Sequence, residues 1–152
     1  MGETHTPAFR RAVIALNGGP SDARIVHLTV ELAKQTKAEV VAVHVVEIDW
    51  TLPLDADIAG RSEEIQRVLD RAEAIAEEVR QPMEPVLLQA RDVGAAIVDE
   101  AVERNADLIV LGVPFRTRFG GDFAIGRTIP YVLQNAPCTV WVVREPMSEE
   151  AS

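Results

Sequence analysis

"EVVAVHVV", residues 39–46, is a stretch in which apolar side chains follow one another with little interruption. A strand with one face in water alternates apolar and polar residues, whereas a strand covered on both faces is almost continuously apolar. Most of these residues are valines, which are β-branched and favour an extended backbone. The stretch therefore predicts a strand of a parallel sheet that other elements cover on both faces.

Four further apolar runs rich in β-branched residues lie before and after this stretch. In chain order, the predicted strands are residues 12–16, 39–46, 85–90, 107–112 and 139–144. Four segments with helical spacing separate them, and such alternation is typical of βαβ units. The chain is therefore predicted to be an α/β protein with an open five-stranded parallel sheet and helices on both faces.

Two helices are predicted between the first three strands. Turn and capping residues open the segment 18–37, where Ile25, Leu28 and Leu32 then recur at helical spacing. The second helix has the clearest apolar stripe, which is formed by Ile65, Val68, Leu69, Ala72, Ile75, Ala76 and Val79. Charged residues occupy its other face, which we interpret as solvated surface.

The remaining two helices are predicted from their ends. Asp92 is a good N-cap for the third helix, whose inward side carries Val93, Ile97 and Ala101. Proline is tolerated only in the first turn of a helix, so Pro130 places the start of the fourth helix near Thr128. That helix ends at Asn135, and its predicted inward residues are Ile129, Val132 and Leu133.

Length and composition are those of one domain. The chain has 152 residues, of which 47% are hydrophobic, enough for a single core. We divide it into an N-terminal tail (1–10), the domain (11–145) and a C-terminal tail (146–152). The apolar stretches are too short to cross a bilayer, and the N-terminus lacks the apolar core of a signal peptide. We therefore expect a cytoplasmic protein without membrane insertion, in which the single cysteine, Cys138, packs as a small hydrophobe.

Charge is distributed unevenly along the chain. The formal net charge of −9 argues against a nucleic-acid partner, because nucleic-acid binding needs a basic face. In contrast, residues 112–128 read "GVPFRTRFGGDFAIGRT", which contains three arginines and only one aspartate. A basic segment on an acidic chain attracts small anions, and this one precedes the predicted fourth helix, whose N-terminus adds partial positive charge.

Several ordered segments resemble the universal stress protein family. They are "NGGPSD" after the first strand, "VVAVHVVE" in the second, "ADLIVLG" in the fourth and "APCTVWVVR" in the fifth. The resemblance covers roughly residues 10 to 145, the domain of the single-domain interpretation. It implies the strand order 3-2-1-4-5 and a homodimer that pairs through the last strand, Thr139–Arg144. Trp141 on that strand is then either covered in the dimer or packed under the fourth helix.

One branch of this family binds ATP or a related adenine nucleotide at the carboxyl ends of strands one and four, where an open sheet leaves a crevice. The resemblance places Asn17 at the position of an aspartate that contacts the adenine and ribose. It places Val45 at a position whose backbone contacts adenine. Asparagine is neutral and both donates and accepts hydrogen bonds, so the contact at Asn17 would differ from the family pattern.

The phosphate pattern of that branch is also altered. Gly112 matches its first glycine, but the second falls on Phe115, where close backbone approach needs a small residue. Gly126 matches the last glycine with one extra residue in the spacing. Arg127 replaces the hydroxyl residue that follows, and Thr128 comes one place later. The loop therefore resembles a modified phosphate loop.

Arginines supply positive charge where the pattern is lost. Arg116, Arg118 and Arg127 have the paired donors that phosphate accepts. The alternative is that they are ordinary surface arginines that pair with the acidic body. The predicted nucleotide-binding residues are Asn17, Val45, Gly112, Arg116, Arg118, Gly126, Arg127 and Thr128.

No catalytic or metal-binding group is predicted. His5, His27 and His44 lack metal-ligand spacing, and a structural hydrogen bond is expected for His44. The long segment 47–60 carries Trp50 and is either a lid or partner surface, or an insertion whose Trp50 and Leu52 pack on a neighbouring helix.

Three functional hypotheses remain open at this point. The leading one is a non-enzymatic, dimeric stress-response module regulated by an adenine nucleotide or another phosphate ligand. The second is a ligand-independent interaction or scaffold subunit that serves a membrane transporter or signalling protein. The third is a slow ATPase, for which the sequence offers no visible base.

Overall fold

The computed structural model describes residues 8–53, 62–113 and 126–146. Strands and helices alternate in it along the chain, and every predicted element is found. The elements are β1 (Arg11–Leu16), α1 (Ser21–Thr36), β2 (Glu39–Glu47), α2 (Ser62–Val79), β3 (Glu84–Ala90), α3 (Val93–Glu103), β4 (Leu108–Val113), α4 (Thr128–Asn135) and β5 (Thr139–Arg144). Asp92 is the N-cap of α3 and accepts a hydrogen bond from the Ala95 backbone N–H, as its residue type predicts.

All five strands are parallel, in the order β3-β2-β1-β4-β5. The predicted order is therefore confirmed. The chain builds outward from β1 to β3 on one side and then crosses to β4 on the other. Parallel neighbours that connect in opposite directions leave a crevice at their carboxyl ends, here beyond β1 and β4.

Each face of the sheet has its own apolar core, because successive side chains of a strand point to opposite faces. Ile14, Val110 and other side chains pack against α1 and α2 on one face. Val13, Ile109 and their neighbours pack against α3 and α4 on the other. Among the described residues, no helix combines the length and apolar character needed to cross a bilayer.

Trp141 packs on the α1/α2 face of the sheet, not under α4. Its ring meets the Phe9 ring edge to face, with centroids 5.8 Å apart and planes at 89°. The Phe9 side chain is 2% exposed and belongs to the same core. Strand alternation explains the result, since odd-numbered β5 positions point toward α1. The explanation by packing under α4 is therefore wrong, whereas cover in a dimer stays a prediction, and the packed core begins at Phe9, within the segment assigned to the N-terminal tail.

Leu133 is the one predicted inward residue of α4 that the structure contradicts. Ile129 and Val132 are buried as expected, but Leu133 is 56% exposed. Tyr131 leans against Gly94 of α3, so this short helix is anchored on that side. Residues two apart are about 200° apart around a helix, which leaves Leu133 on the opposite flank.

Candidate functional site

The crevice beyond β1 and β4 contains a cavity of about 190 Å³ on the α3/α4 face of the sheet. Its walls are mainly aliphatic, with three polar or glycine positions. The lining residues are Ala15, Leu16, Asn17, Val93, Ile97, Leu111, Gly112, Val113, Thr128 and Ile129. Three of the predicted site residues, Asn17, Gly112 and Thr128, therefore lie around one cavity. We call it the β1/β4 crevice.

The turn after β1 is held by a side chain that the sequence analysis did not single out, Asp22 in the first turn of α1. Its two carboxylate oxygens accept hydrogen bonds from the backbone N–H groups of Asn17 (3.0 Å) and Gly18 (2.8 Å). The Asn17 side-chain oxygen accepts a third, from the Gly19 N–H at 2.7 Å. Gly18 has a φ of +81°, a conformation that favours glycine. An aspartate six residues after the strand end was the available signal, because that distance lets it reach back to the turn.

Partial burial raises the pKa of Asp22 above its ordinary 3.8, against the opposing effect of the two backbone hydrogen bonds and of the His44 and Arg71 charges. The folded chain therefore binds more protons than the unfolded chain just above that pH. By linkage, the stability contributed by this carboxyl increases as the pH falls through the raised pKa of the folded chain toward 3.8, and it is lost as the pH rises again.

Replacing Asp22 by asparagine tests this interpretation. At neutral pH the amide nitrogen cannot accept the Gly18 N–H, and we expect the free energy of unfolding to fall by about 1–2 kcal/mol. The variant cannot titrate at this position. The difference in free energy of unfolding between the natural chain and the variant should therefore grow on acidification. Urea unfolding of both chains between about pH 7 and pH 4 measures the gap. A gap that narrows on acidification would show that the hydrogen bonds outweigh burial.

Gly112 faces α1 as well as the crevice. A Cβ atom built on it would lie 2.7 Å from Ser21 Oγ, 3.0 Å from Ser21 Cβ and 3.2 Å from Ile25 Cγ2. Distances this short exclude a side chain unless α1 moves. The packing of α1 against β4 therefore requires glycine here, whatever the crevice binds.

The start of α4 borders the crevice with backbone donors and positive charge. Gly126 has a φ of +80°, and no atom of the described residues would lie within 4 Å of a Cβ placed on it. The side chain of the N-cap, Arg127, makes no cap hydrogen bond to the first-turn N–H groups, which belong to Thr128 and Ile129 because Pro130 has none. Arg127 is 87% exposed, and its Nη2 lies 3.4 Å from Oε2 of Glu47 at the end of β2. A carboxylate thus already holds the guanidinium predicted to bind phosphate.

The family model for the universal stress protein family matches residues 8–144. That match spans all nine elements of the fold described above. The chain belongs to the universal stress protein family.

Two curated relatives show how this universal stress protein domain is used elsewhere. Universal stress protein MJ0531 of Methanocaldococcus jannaschii is 28% identical over 147 residues, which cover 93% of this chain and 85% of the relative. The sensor protein KdpD of Mycobacterium tuberculosis is 29% identical over 145 residues. Those residues are 95% of this chain but only 16% of KdpD, so the chain matches one part of a much longer sensor.

Solved universal stress protein structures share the fold. One, in complex with cAMP, has a TM-score of 0.68 at 20% identity and covers 90% of this chain and 98% of its own. Another, from Archaeoglobus fulgidus in complex with dAMP, has a TM-score of 0.66 at 21% identity and covers 91% and 99%. At this identity the likeness establishes the fold.

The other positions predicted from the universal stress protein pattern are more scattered. Val45 is buried in β2 and does not line the crevice. The β1–β2 pairing ends at Leu16 and His44, so Val45 lies just beyond it, at the level of Asn17. Gly126 and Arg127 lie at the start of α4 and do not line the cavity. Arg116 and Arg118, with Phe115, lie outside the described residues.

His44 has the structural hydrogen bond expected from this universal stress protein sequence. Its Nδ1 lies 3.3 Å from the carbonyl oxygen of Leu16, a group that only accepts. Burial raises the pKa of the Cys138 thiol, which keeps it in the unreactive form. Within residues 8–53, 62–113 and 126–146, no group of three or more His, Cys, Asp or Glu side chains has a metal-binding arrangement.

Trp50 does not pack on a neighbouring helix. The side chain is 79% exposed, and the Arg91 guanidinium carbon lies 5.2 Å from the centre of its ring. Arg91 also donates a hydrogen bond to the carbonyl of Asp49. Leu52 is exposed as well, so the packing alternative is wrong for both side chains.

Proposed function

We propose that this chain is a non-enzymatic regulatory module that binds an adenine nucleotide in the β1/β4 crevice. The observation that carries the proposal is the meeting of Asn17, Gly112 and Thr128 around one cavity beside the start of α4. Aliphatic walls suit a base or ribose, while Asn17 offers a side-chain amide for orientation. The dAMP and cAMP complexes of proteins with this fold support the choice of ligand class.

The size of the crevice suggests how such a ligand divides between cavity and surface. Its volume of about 190 Å³ is below the roughly 300–1,000 Å³ usual for ligand pockets. We infer that the ring system enters the cavity and the phosphate stays outside, beside the first turn of α4. There the backbone N–H groups, the helix dipole and Arg127 all favour an anion.

The pairing of Arg127 with Glu47 predicts opposite effects for two substitutions. Arg127→Ala removes a phosphate donor and should weaken AMP binding about tenfold, the loss of one charge-assisted hydrogen bond. Glu47→Gln removes the competing carboxylate and should tighten binding several-fold. Arg91→Ala is the control, because Arg91 is occupied with Trp50 and Asp49. Isothermal titration of the four chains measures the constants, and equal effects for Arg127 and Arg91 would remove Arg127 from the site.

Dimerisation through Thr139–Arg144 is part of the proposal. Among the described strands β5 pairs only with β4, so it is an edge strand of the sheet to which a second chain could add a strand. Val142 on this strand is 42% exposed, and a second β5 across a two-fold axis would cover it. We place this dimer in the cytoplasm, on the grounds of its acidic charge and single cysteine.

A ligand-independent scaffold is the second candidate. Two observations favour it: Asp22 already occupies two backbone N–H groups of the turn, and Glu47 already pairs with Arg127. The similarity to part of the KdpD sensor suggests a signalling partner for such a scaffold.

Native mass spectrometry of the purified chain, followed by heat release and chromatography, separates the candidates. A nucleotide-loaded dimer supports the first proposal. A ligand-free dimer whose melting temperature is unchanged by millimolar ATP, AMP or cyclic dinucleotides supports the scaffold. ATP hydrolysis that depends on magnesium or manganese would overturn the non-enzymatic assignment.

A further inference from the structure

A second, more polar cavity lies beside the crevice at the level of Asn17. It has a volume of about 590 Å³ and is bounded by the turn after β1, the end of β2 and the first turns of α2. Its lining residues are Asn17, Gly18, His44, Glu64, Ile65, Arg67, Val68 and Arg71. We call it the α2 cavity. The expected nucleotide site includes none of its α2 residues.

Two arginines of the α2 cavity stand one helical turn apart. Arg67 and Arg71 are exposed residues at positions i and i+4 of α2, so their side chains project from the same face. In the part of the chain that the structure describes, neither Arg67 nor Arg71 has a carboxylate within 4 Å. Arg11, Arg104 and Arg127 each have such a partner. Two guanidinium groups side by side repel each other, and a bound anion relieves that repulsion.

Asp22 does not neutralise this pair. Both of its carboxylate oxygens accept backbone hydrogen bonds from the turn, and it forms no ion pair with Arg67 or Arg71 within the described residues. Asn17 adds a donor, because its oxygen is engaged by Gly19 and its Nδ2 has no acceptor among the described residues. The donors on the cavity wall therefore outnumber the acceptors, on a chain whose net charge is −9.

Glu64 and His44 complete the polar wall and narrow the ligand class. Glu64 accepts hydrogen bonds only, whereas the His44 Nε2 accepts one when Nδ1 donates to Leu16. The apolar lining consists of Ile65 and Val68, and no Phe, Tyr or Trp side chain lines the cavity among the described residues. The wall thus offers donors to an anion and acceptors to hydroxyl groups.

We propose that the α2 cavity binds a small phosphate monoester that also carries hydroxyl groups, such as a polyol or sugar phosphate. Arg67 and Arg71 hold the phosphate through paired N–H donors, with Asn17 Nδ2 as a third contact. Glu64 and His44 accept hydrogen bonds from the hydroxyls. This site shares Asn17 with the β1/β4 crevice and no other lining residue, and it stands whether or not a nucleotide binds there.

NMR titration of the full chain, uniformly labelled with ¹⁵N, tests the proposal with glycerol 3-phosphate as the probe. The Arg67 and Arg71 side-chain Nε–H signals and the Asn17 side-chain amide should shift together and saturate in the millimolar range or below. Inorganic phosphate should bind more weakly, since it leaves the acceptors of Glu64 and His44 unused. Glycerol without phosphate should not bind.

Arg71→Gln should weaken glycerol 3-phosphate binding at least tenfold. Arg24→Gln is the matched control, because Arg24 is an exposed arginine on α1 that lines neither cavity. Urea unfolding verifies that both variants are folded. Equal affinity in the two variants, or shifts centred on α4 instead of α2, would overturn the proposal. AMP binding that survives Arg71→Gln leaves the proposed function intact, so the two failures are distinguishable.

Discussion

Replacing Phe9 by alanine is expected to lower the free energy of unfolding by about 3–5 kcal/mol, the usual cost of emptying a buried phenylalanine site. The ring is almost completely buried and meets Trp141 edge to face, a geometry that adds to simple burial. Nothing else in the short segment before β1 is buried as deeply among the described residues. One side chain therefore fastens the N-terminal segment to the last strand.

Fluorescence makes this prediction specific to the Phe9–Trp141 contact. The chain has only two tryptophans, so Trp50→Phe leaves Trp141 as the sole indole. In that background Phe9→Ala should shift the emission of the folded chain to longer wavelength, because water reaches the Trp141 ring. Leu87→Ala, at an exposed position of β3, is the control and should change neither the Trp141 emission maximum nor the free energy of unfolding. An unchanged emission maximum would show that Phe9 does not cover Trp141.

Gly112→Ala should be the most damaging single-methyl substitution of a glycine in the described residues, with a loss of about 2–3 kcal/mol. The new Cβ would lie 2.7 Å from Ser21 Oγ, so α1 must shift away from β4. Urea unfolding measures the loss. The same experiment on Gly126→Ala should give about 1 kcal/mol, because only the left-handed backbone opposes a side chain there.

A double-mutant cycle with Ser21→Ala identifies the clashing atom. The Ser21 hydroxyl is buried and lacks a hydrogen-bond partner, so Ser21→Ala alone should cost little or even stabilise the chain. In the Ser21→Ala background, Gly112→Ala should lose less stability, since the closest remaining atom is Cβ at 3.0 Å. Additive losses would place the strain elsewhere.

The sheet was predictable because its signal is repeated. Each strand is a short apolar run, and each connecting segment has helical spacing, so one misplaced residue does not change the topology. The N-cap at Asp92 and the start of α4 at Thr128 follow from local rules that hold in this fold. Strand order came from the family resemblance, since periodicity alone does not say which strands are neighbours.

The sequence predictions were wrong where contacts between residues distant in the sequence determine the position of a side chain. Leu133 has helical spacing with Ile129, but Tyr131 resting on Gly94 fixes how α4 is rotated. Trp141 was expected to pack under α4 or to be covered in a dimer, and the strand pleat turns it toward Phe9, away from α4. Gly112 was interpreted through phosphate binding alone, although contact with Ser21 is sufficient to require glycine. Each correction depends on residues far apart in the sequence.

The candidate site was only partly predictable for the same reason. Asn17, Gly112 and Thr128 lie at strand and helix ends, which the topology brings together, so sequence reasoning could place them near one another. Asp22 was missed because its partners are backbone groups, so its distance from the strand end was the only sequence signal of its role. The ion pair between Arg127 and Glu47 joins residues eighty positions apart and has no local signature.

Asn17 borders both the β1/β4 crevice and the α2 cavity. Its single amide therefore borders both proposed sites, so a ligand that engages the Asn17 Nδ2 in one withdraws that donor from the other. Thermodynamic reciprocity then requires each ligand to change the affinity of the other by the same factor. On these two proposals, the turn after β1 would couple the binding of a nucleotide to the binding of a phosphate monoester.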